Sequence, residues 1–238
     1  CCAARVCGAA PRAGTTSAMG YIVDAQGLPK LLIADAPATK EGDTARFRVT
    51  MDYATAKRAT VRWSFVVGTA DSADVKTYSG QLVFEPGGSK VATIAIPTVI
   101  DTVWEPTETF TVRLSDCDRC DIADSTGLGT LLEEGEVPRI SFLGLDTSVV
   151  EDRAGTVRAS IGLTRAASIP LSAALALDPV STATRGTDWS LAFPGNDTLV
   201  FAPGSRRLTM QLPVVPDTLE ESTETVVLSL SPLSPLAK

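Results

Sequence analysis

LVFEPGGSKVATIAIPTVIDTVWEPTETFTVRLS, residues 82–115, returns as LVFAPGSRRLTMQLPVVPDTLEESTETVVLSLS, residues 199–231. A self-match of this kind marks an internal repeat of about 110 residues. Each copy reads as an apolar run, a Pro-Gly turn, an alternating run and an acidic loop leading into another alternating run, which is the period of strands and not of helices. Working outward, EGDTARFRVTM from Glu41 answers EDRAGTVRASIGL from Glu151 after a short insertion. Strands are expected at 31–34, 44–51, 60–67, 81–84, 90–96, 107–114 and 127–132. Seven strands in so short a span predict an all-β, immunoglobulin-like sandwich, and the repeat predicts two in tandem. The boundaries fall at an arm over 1–28, a first unit over 29–137 and a second over 138–238.

Composition excludes several classes of function. Of 238 residues, 44% are hydrophobic and 21% charged, so the chain folds. Twenty-one basic against 28 acidic side chains leave a net charge of −7 and no basic stripe for nucleic acid. There is no histidine, which removes the commonest general base and metal-ligating nitrogen. No apolar run approaches the roughly 20 residues of a membrane-spanning helix. Nothing in the chain assembles a catalytic constellation, so no enzyme is expected. Trp63 and Trp189 read as core or loop-packing residues and not as ligand platforms.

The five cysteines form two clusters, Cys1, Cys2 and Cys7, then Cys117 and Cys120. The expected outcome is one local disulfide per cluster, with Cys2, Cys7, Cys117 and Cys120 the candidates and one thiol left over. That usage fits an extracellular or periplasmic setting. Zinc would need thiolates from clusters a hundred residues apart, and a redox pair would need a strand-to-helix context where SDCDRCDIADSTG reads as a turn. Cys1 is also compatible with a lipid anchor.

The Glu-Gly opener, the Phe-x-Pro-Gly turn and the Asp-x-x-x-Glu-x-x-Glu-Thr run into a strand ending Leu-Ser resemble the Calx-β family. The resemblance extends from about Leu31 to the end of the second copy. It implies β-sandwiches of extracellular adhesion proteins, bacterial surface proteins and sodium/calcium exchangers, some of which bind Ca2+ in loops at one end. Position by position it assigns calcium ligation to Glu41, Asp101, Glu105, Glu108, Glu133 and Glu134 in copy one, and to Glu151, Asp188, Asp217, Glu221 and Glu224 in copy two. Calcium accepts six to eight oxygens, which loop carboxylates supply. This sequence departs from the family in three places. Ile100 and Pro216 replace the first of an Asp pair, Asp74 is the nearest counterpart of an Asp-Tyr pair in copy one, and the terminal acidic run is Glu-Glu-Gly. The alternative is that these acids are solvated or close turns.

Copy one continues past its Leu-Ser into TGLGTLLEEGEVPRISF, residues 126–142, whereas copy two runs into SPLSPLAK, whose prolines argue against a central strand. The second sandwich is therefore expected to lack its last strand. At the other end SAMGYIVDAQGLPKLLI, residues 17–33, aligns without gaps on 126–142, with Gly20 on Gly129, Ile22 on Leu131 and Pro29 on Pro138. This predicts a donor-like strand over about 17–25, with Met19, Tyr21, Ile22 and Val23 the candidates for burial in a neighbouring copy at roughly 1.5–3 kcal/mol each. The expected function is a structural subunit of an extracellular filament or surface fibre, polymerising head to tail by strand donation into the second domain of the next copy. Its partners would be copies of itself and other surface or matrix components. The alternative is a calcium-binding adhesion or sensor module that is a piece of a larger Calx-β array.

Overall fold

The computed structural model describes residues 19–20, 27–145, 148–151, 155–190 and 197–233. Among them there is no α-helix. The first unit contains β1 (Lys30–Ile33), β2 (Thr39–Lys40), β3 (Thr44–Met51), β4 (Ala59–Val66), β5 (Ser79–Phe84), β6 (Val91–Pro97), β7 (Val103–Trp104), β8 (Glu108–Asp118), β9 (Asp121–Ile122) and β10 (Thr126–Leu132). The second contains β11 (Ile140–Leu145), β12 (Thr156–Leu163), β13 (Ala166–Ala167), β14 (Leu171–Leu177), β15 (Thr198–Phe201), β16 (Arg207–Pro213) and β17 (Leu228–Pro232). The strands expected from the sequence of copy one are all present, shifted by a few residues at most. So is the turn at the Cys-x-x-Cys stretch, closed by the Cys117–Cys120 disulfide with 5.5 Å between Cα atoms.

Alternation explains the first sandwich. TARFRVTM in β3 buries Ala45, Phe47, Val49 and Met51 on one face and leaves Arg46 and Arg48 on the other. One sheet runs β6-β3-β1-β9 and the other β2-β10-β8-β4-β5, and their inner faces share one core. Phe110 sits at its centre, edge-on to Phe47 at 5.7 Å and against Phe65 at 5.1 Å. Gly129 of β10 lies directly opposite Phe110, where a Cβ would come within 2.5 Å of the ring. A buried ring has nowhere to go, so Gly129→Ala is expected to cost about 1–3 kcal/mol, read as a lower urea midpoint for the first sandwich.

The second unit repeats this with fewer strands. Its sheets run β11-β12-β16 and β15-β14-β17 around a separate core. Trp189 is in that core, as Trp63 is in the first. β17 takes the place of β8, but no described residue pairs with its outer edge, where β10 covers β8 in the first sandwich. Phe110 is 1% exposed, whereas Val226, its counterpart in the repeat, is 36% exposed.

The two sandwiches touch through β7 and β13, which pair in parallel with Trp104 beside Ala167. Trp104 belongs by sequence to the first unit, yet its side chain is buried in the core of the second.

Candidate functional site

In the first sandwich the acids converge at the end facing the second. Glu41 follows β2, Asp74 lies between β4 and β5, Asp101 and Glu105 flank β7, Glu108 opens β8, and Glu133 and Glu134 follow β10. The loops are pinned by the backbone. Thr98, fully buried, donates its hydroxyl to the Asp43 carbonyl at 2.9 Å, and the Val99 amide donates to the Asp74 carbonyl at 2.8 Å. As a result carboxylate oxygens of Asp74, Glu105 and Glu108 lie within 4.8 Å of one another. Asp74, the weakest match in the sequence, is thus central to the cluster.

Crowding of like charge has a measurable signature. Burial, reinforced by Glu133, Glu105, Asp101 and Asp74, pushes Glu41 up to about 7. Burial, then Asp74 and Glu105, pushes Glu108 up to about 8. Glu105 is raised by burial and by Asp74, against a lowering hydrogen bond from Ser168. Such a set holds protons or a cation near neutral pH.

Glu133 and Glu134 have other partners. Glu134 pairs with Lys40 at 2.8 Å on the exposed surface. Glu133 accepts from the Glu105 and Gly135 amides, both at 2.7 Å, and from Arg165 Nη1 at 3.0 Å. Arg165 comes from the second sandwich and also donates to the Val103 carbonyl at 2.9 Å. Only 18% of the Arg165 side chain and 9% of that of Glu133 are exposed. Gly135 makes this possible, because a Cβ there would fall 1.3 Å from Arg165 Nη1. The Glu-Glu-Gly departure from the family's acidic run thus has a physical reason, a guanidinium where a third side chain would sit. Sequence reading missed Arg165 and Trp104, and Gly135 was the only local signal for the first.

In the second sandwich Glu151, Asp188 and Glu221 bring oxygens within 4.8 Å of one another. Asp188 accepts from the Thr184 amide at 2.5 Å, which with Thr187 holds its carboxyl below the usual range. It also faces Glu224, whose carboxyl is raised by its hydrogen bond to Asp188 and by burial. Glu221 is raised by burial and by Asp188, Asp217 and Glu151. Glu151 Oε1 is buried with no hydrogen-bond partner among the described residues. Asp217 closes its own turn by accepting from the Leu219 amide at 2.8 Å.

Both clusters suit a hard divalent cation. All the donors are oxygens, the carboxyls repel one another, and one buried oxygen has no partner. Asp74, Glu105, Glu108, Glu41 and Asp101 would hold it in the first sandwich, and Glu151, Asp188, Glu221 and Glu224 in the second. Of the expected donor residues, Met19 is exposed, and Tyr21, Ile22 and Val23 lie outside the described residues, as do Cys2 and Cys7.

No curated protein matches the chain. Among solved structures it is similar to CBD12 from CALX1.2, at 17% identity and TM-score 0.41, with 78% of this chain and 75% of that one covered. The calcium binding domain CBD12 of CALX1.1 gives 16%, 0.41, 76% and 74%. The apo form of the Calx CBD1 domain gives 19% and 0.40, with 45% of this chain and 99% of that one covered. The pattern of the Calx-beta domain matches residues 34–127 and 138–237, and the chain belongs to the Calx-β family as a tandem pair.

Proposed function

We propose that this chain is a non-catalytic, calcium-binding tandem module of an extracellular structural or adhesive protein, with a cation at the same end of each sandwich. The observation that carries this reading is the recurrence of a convergent carboxylate cluster in both copies, in which Asp74 and Glu105 of the first are answered by Asp188 and Glu221 of the second. The first cluster lies against the domain junction, so a cation there would stiffen it. Calorimetric titration of the purified chain with CaCl2 tests the reading, and no heat at millimolar calcium would sink it. Glu108→Gln is expected to weaken the first site roughly tenfold or more and leave the second unchanged.

The raised carboxyls set the pH dependence. Groups at about 7 and about 8 in the folded chain, against an ordinary 4.5, bind protons that the unfolded chain has released. Without calcium, stability therefore falls as pH rises from about 4.5 to 8. Calcium must displace those protons, so its affinity rises through the same window, and binding at pH 7 releases protons. Titration heats that vary with the ionisation enthalpy of the buffer are the expected result.

A second reading has its own observation. The outer edge of β17, with which no described residue pairs, favours a subunit of a filament or surface fibre, joined head to tail by a strand from the N-terminal arm of the next copy. Sedimentation and electron microscopy of the purified chain test it, with concentration-dependent polymers expected.

A further inference from the structure

Resting on that second reading, we propose that the second sandwich carries a strand seat, walled by β17 on one side and by Val149–Val150 on the other. Segment 17–25 of another copy fills it antiparallel to β17, with Gly20 opposite Val226.

The first sandwich supplies the template. There β10 lies between two walls, antiparallel to β8 with Gly129 opposite Phe110 and Leu131 opposite Glu108, and parallel to β2 with Leu131 beside Thr39 and Leu132 beside Lys40. Through the repeat, Val226 stands for Phe110 and Glu224 for Glu108. Counting back from the matched Glu41 and Glu151, Val149 and Val150 stand for Thr39 and Lys40. Both walls of the seat are thus present in the second sandwich, and both show apolar side chains to solvent. Val226 and Val149 are each 36% exposed, Val227 is 38% and Val150 is 68%. Two valines stand at a loop position that is Thr-Lys in the other copy, and an incoming strand would cover them.

The occupant is identified by its sequence and by where it leaves the fold. Residues 17–33 match 126–142 without a gap, and the two segments lead into β1 and β11, the equivalent first strands of the two sandwiches. Segment 17–25 thus precedes β1 as β10 precedes β11, and β10 belongs to the sandwich before. In the register of β10, Gly20 takes the place of Gly129, where only a residue without a Cβ clears the ring of Phe110. Ile22 takes the place of Leu131, buried at 2%. Ala18, Gly20 and Ile22 then face inward and Met19 and Tyr21 outward, so of the four candidates for burial this register places Ile22 in the core.

Geometry excludes the chain's own second sandwich. β1 begins beside Met51, at the far end of β3 from Thr44 and from the Glu133–Arg165 junction. The eight residues of β3 span about 26 Å. Residues 26–29, the connection to β1, span at most about 14 Å. The chain therefore enters β1 at the end opposite the second sandwich. Of the segment's described residues, Met19 is 81% exposed and nothing lies within 4 Å of a Cβ placed at Gly20. The contact is head to tail and propagates.

Two single variants, Gly20→Cys and Val226→Cys, are made in the full chain with Cys1, Cys2 and Cys7 replaced by Ser, then mixed and oxidised. Opposed residues of an antiparallel pair lie within disulfide reach, so a cross-linked dimer is expected, at least roughly tenfold above a Met19→Cys and Val226→Cys mixture. In the unmodified chain, hydrogen exchange at the Val226 and Leu228 amides is expected to slow by roughly tenfold or more as concentration rises. Equal cross-linking from positions 19 and 20 overturns the register. Polymers without cross-linking or β17 protection overturn the seat and leave the filament reading standing. A chain that stays monomeric, with neither signal, overturns both.

Discussion

Trp104→Ala is expected to unfold the second sandwich in preference to the first, although Trp104 lies in the sequence of the first. The indole is buried among Leu163, Ala167, Leu171 and the other residues of the second core, and β7 presents it there by pairing with β13. The Trp104 carbonyl also accepts from the Ser168 amide at 3.0 Å, which fixes the depth of insertion. Removing a buried Trp side chain costs about 3–5 kcal/mol, the transfer term plus the cavity left behind. The first core is unaffected, because Phe47, Phe110 and Phe65 make no use of Trp104. Hydrogen exchange separates the outcomes. Amides of β12 and β16 should lose protection while those of β3 and β6 keep it. Equal losses in both sandwiches, or a loss confined to the first, would overturn the assignment.

That result would also show what a single sequence cannot say. Strands of the first sandwich were legible because each buries one face, and in β3 the pattern TARFRVTM states the face residue by residue. The pairing of two-residue strands such as β7 with β13 was not legible, since two residues have no period to read. VWEPTE reads as the approach to β8, and nothing local says that its tryptophan belongs to another core. The acidic clusters were legible through the resemblance to the Calx-β family, which assigned Glu41, Glu105 and Glu108 to one site. Asp74 was undervalued because the residue after it is Val75 where an aromatic is usual. Backbone pairing between Val75 and Thr98 holds that loop in place, as pairing between Trp189 and Val214 does in the second copy, whichever side chain follows the aspartate.

Arg165 and Glu133 should behave as a unit at the junction. Arg165→Ala leaves Glu133 nearly buried, still aimed at two amides but without its cation and close enough to raise Glu41 and Glu105. Breaking one side of a buried pair costs about 3–5 kcal/mol, most of it the uncompensated charge left behind. Glu133→Gln should cost less, because the amide oxygen still accepts from one of the Gly135 and Glu105 amides, which Glu133 receives on separate oxygens, and the charge left on the guanidinium retains the Val103 carbonyl. The double variant should then be less damaged than the sum of the singles, by about 0.5–3 kcal/mol of coupling in a urea cycle followed at the junction amides. Calcium makes the test sharper. A guanidinium beside the cluster repels an incoming cation, so its removal should raise the calcium affinity of the first site even as it lowers stability without calcium. Saturating CaCl2 should therefore restore most of the loss in Arg165→Ala and little of that in Trp104→Ala. If calcium rescued both variants equally, the charge at the junction would not be what Arg165 supplies.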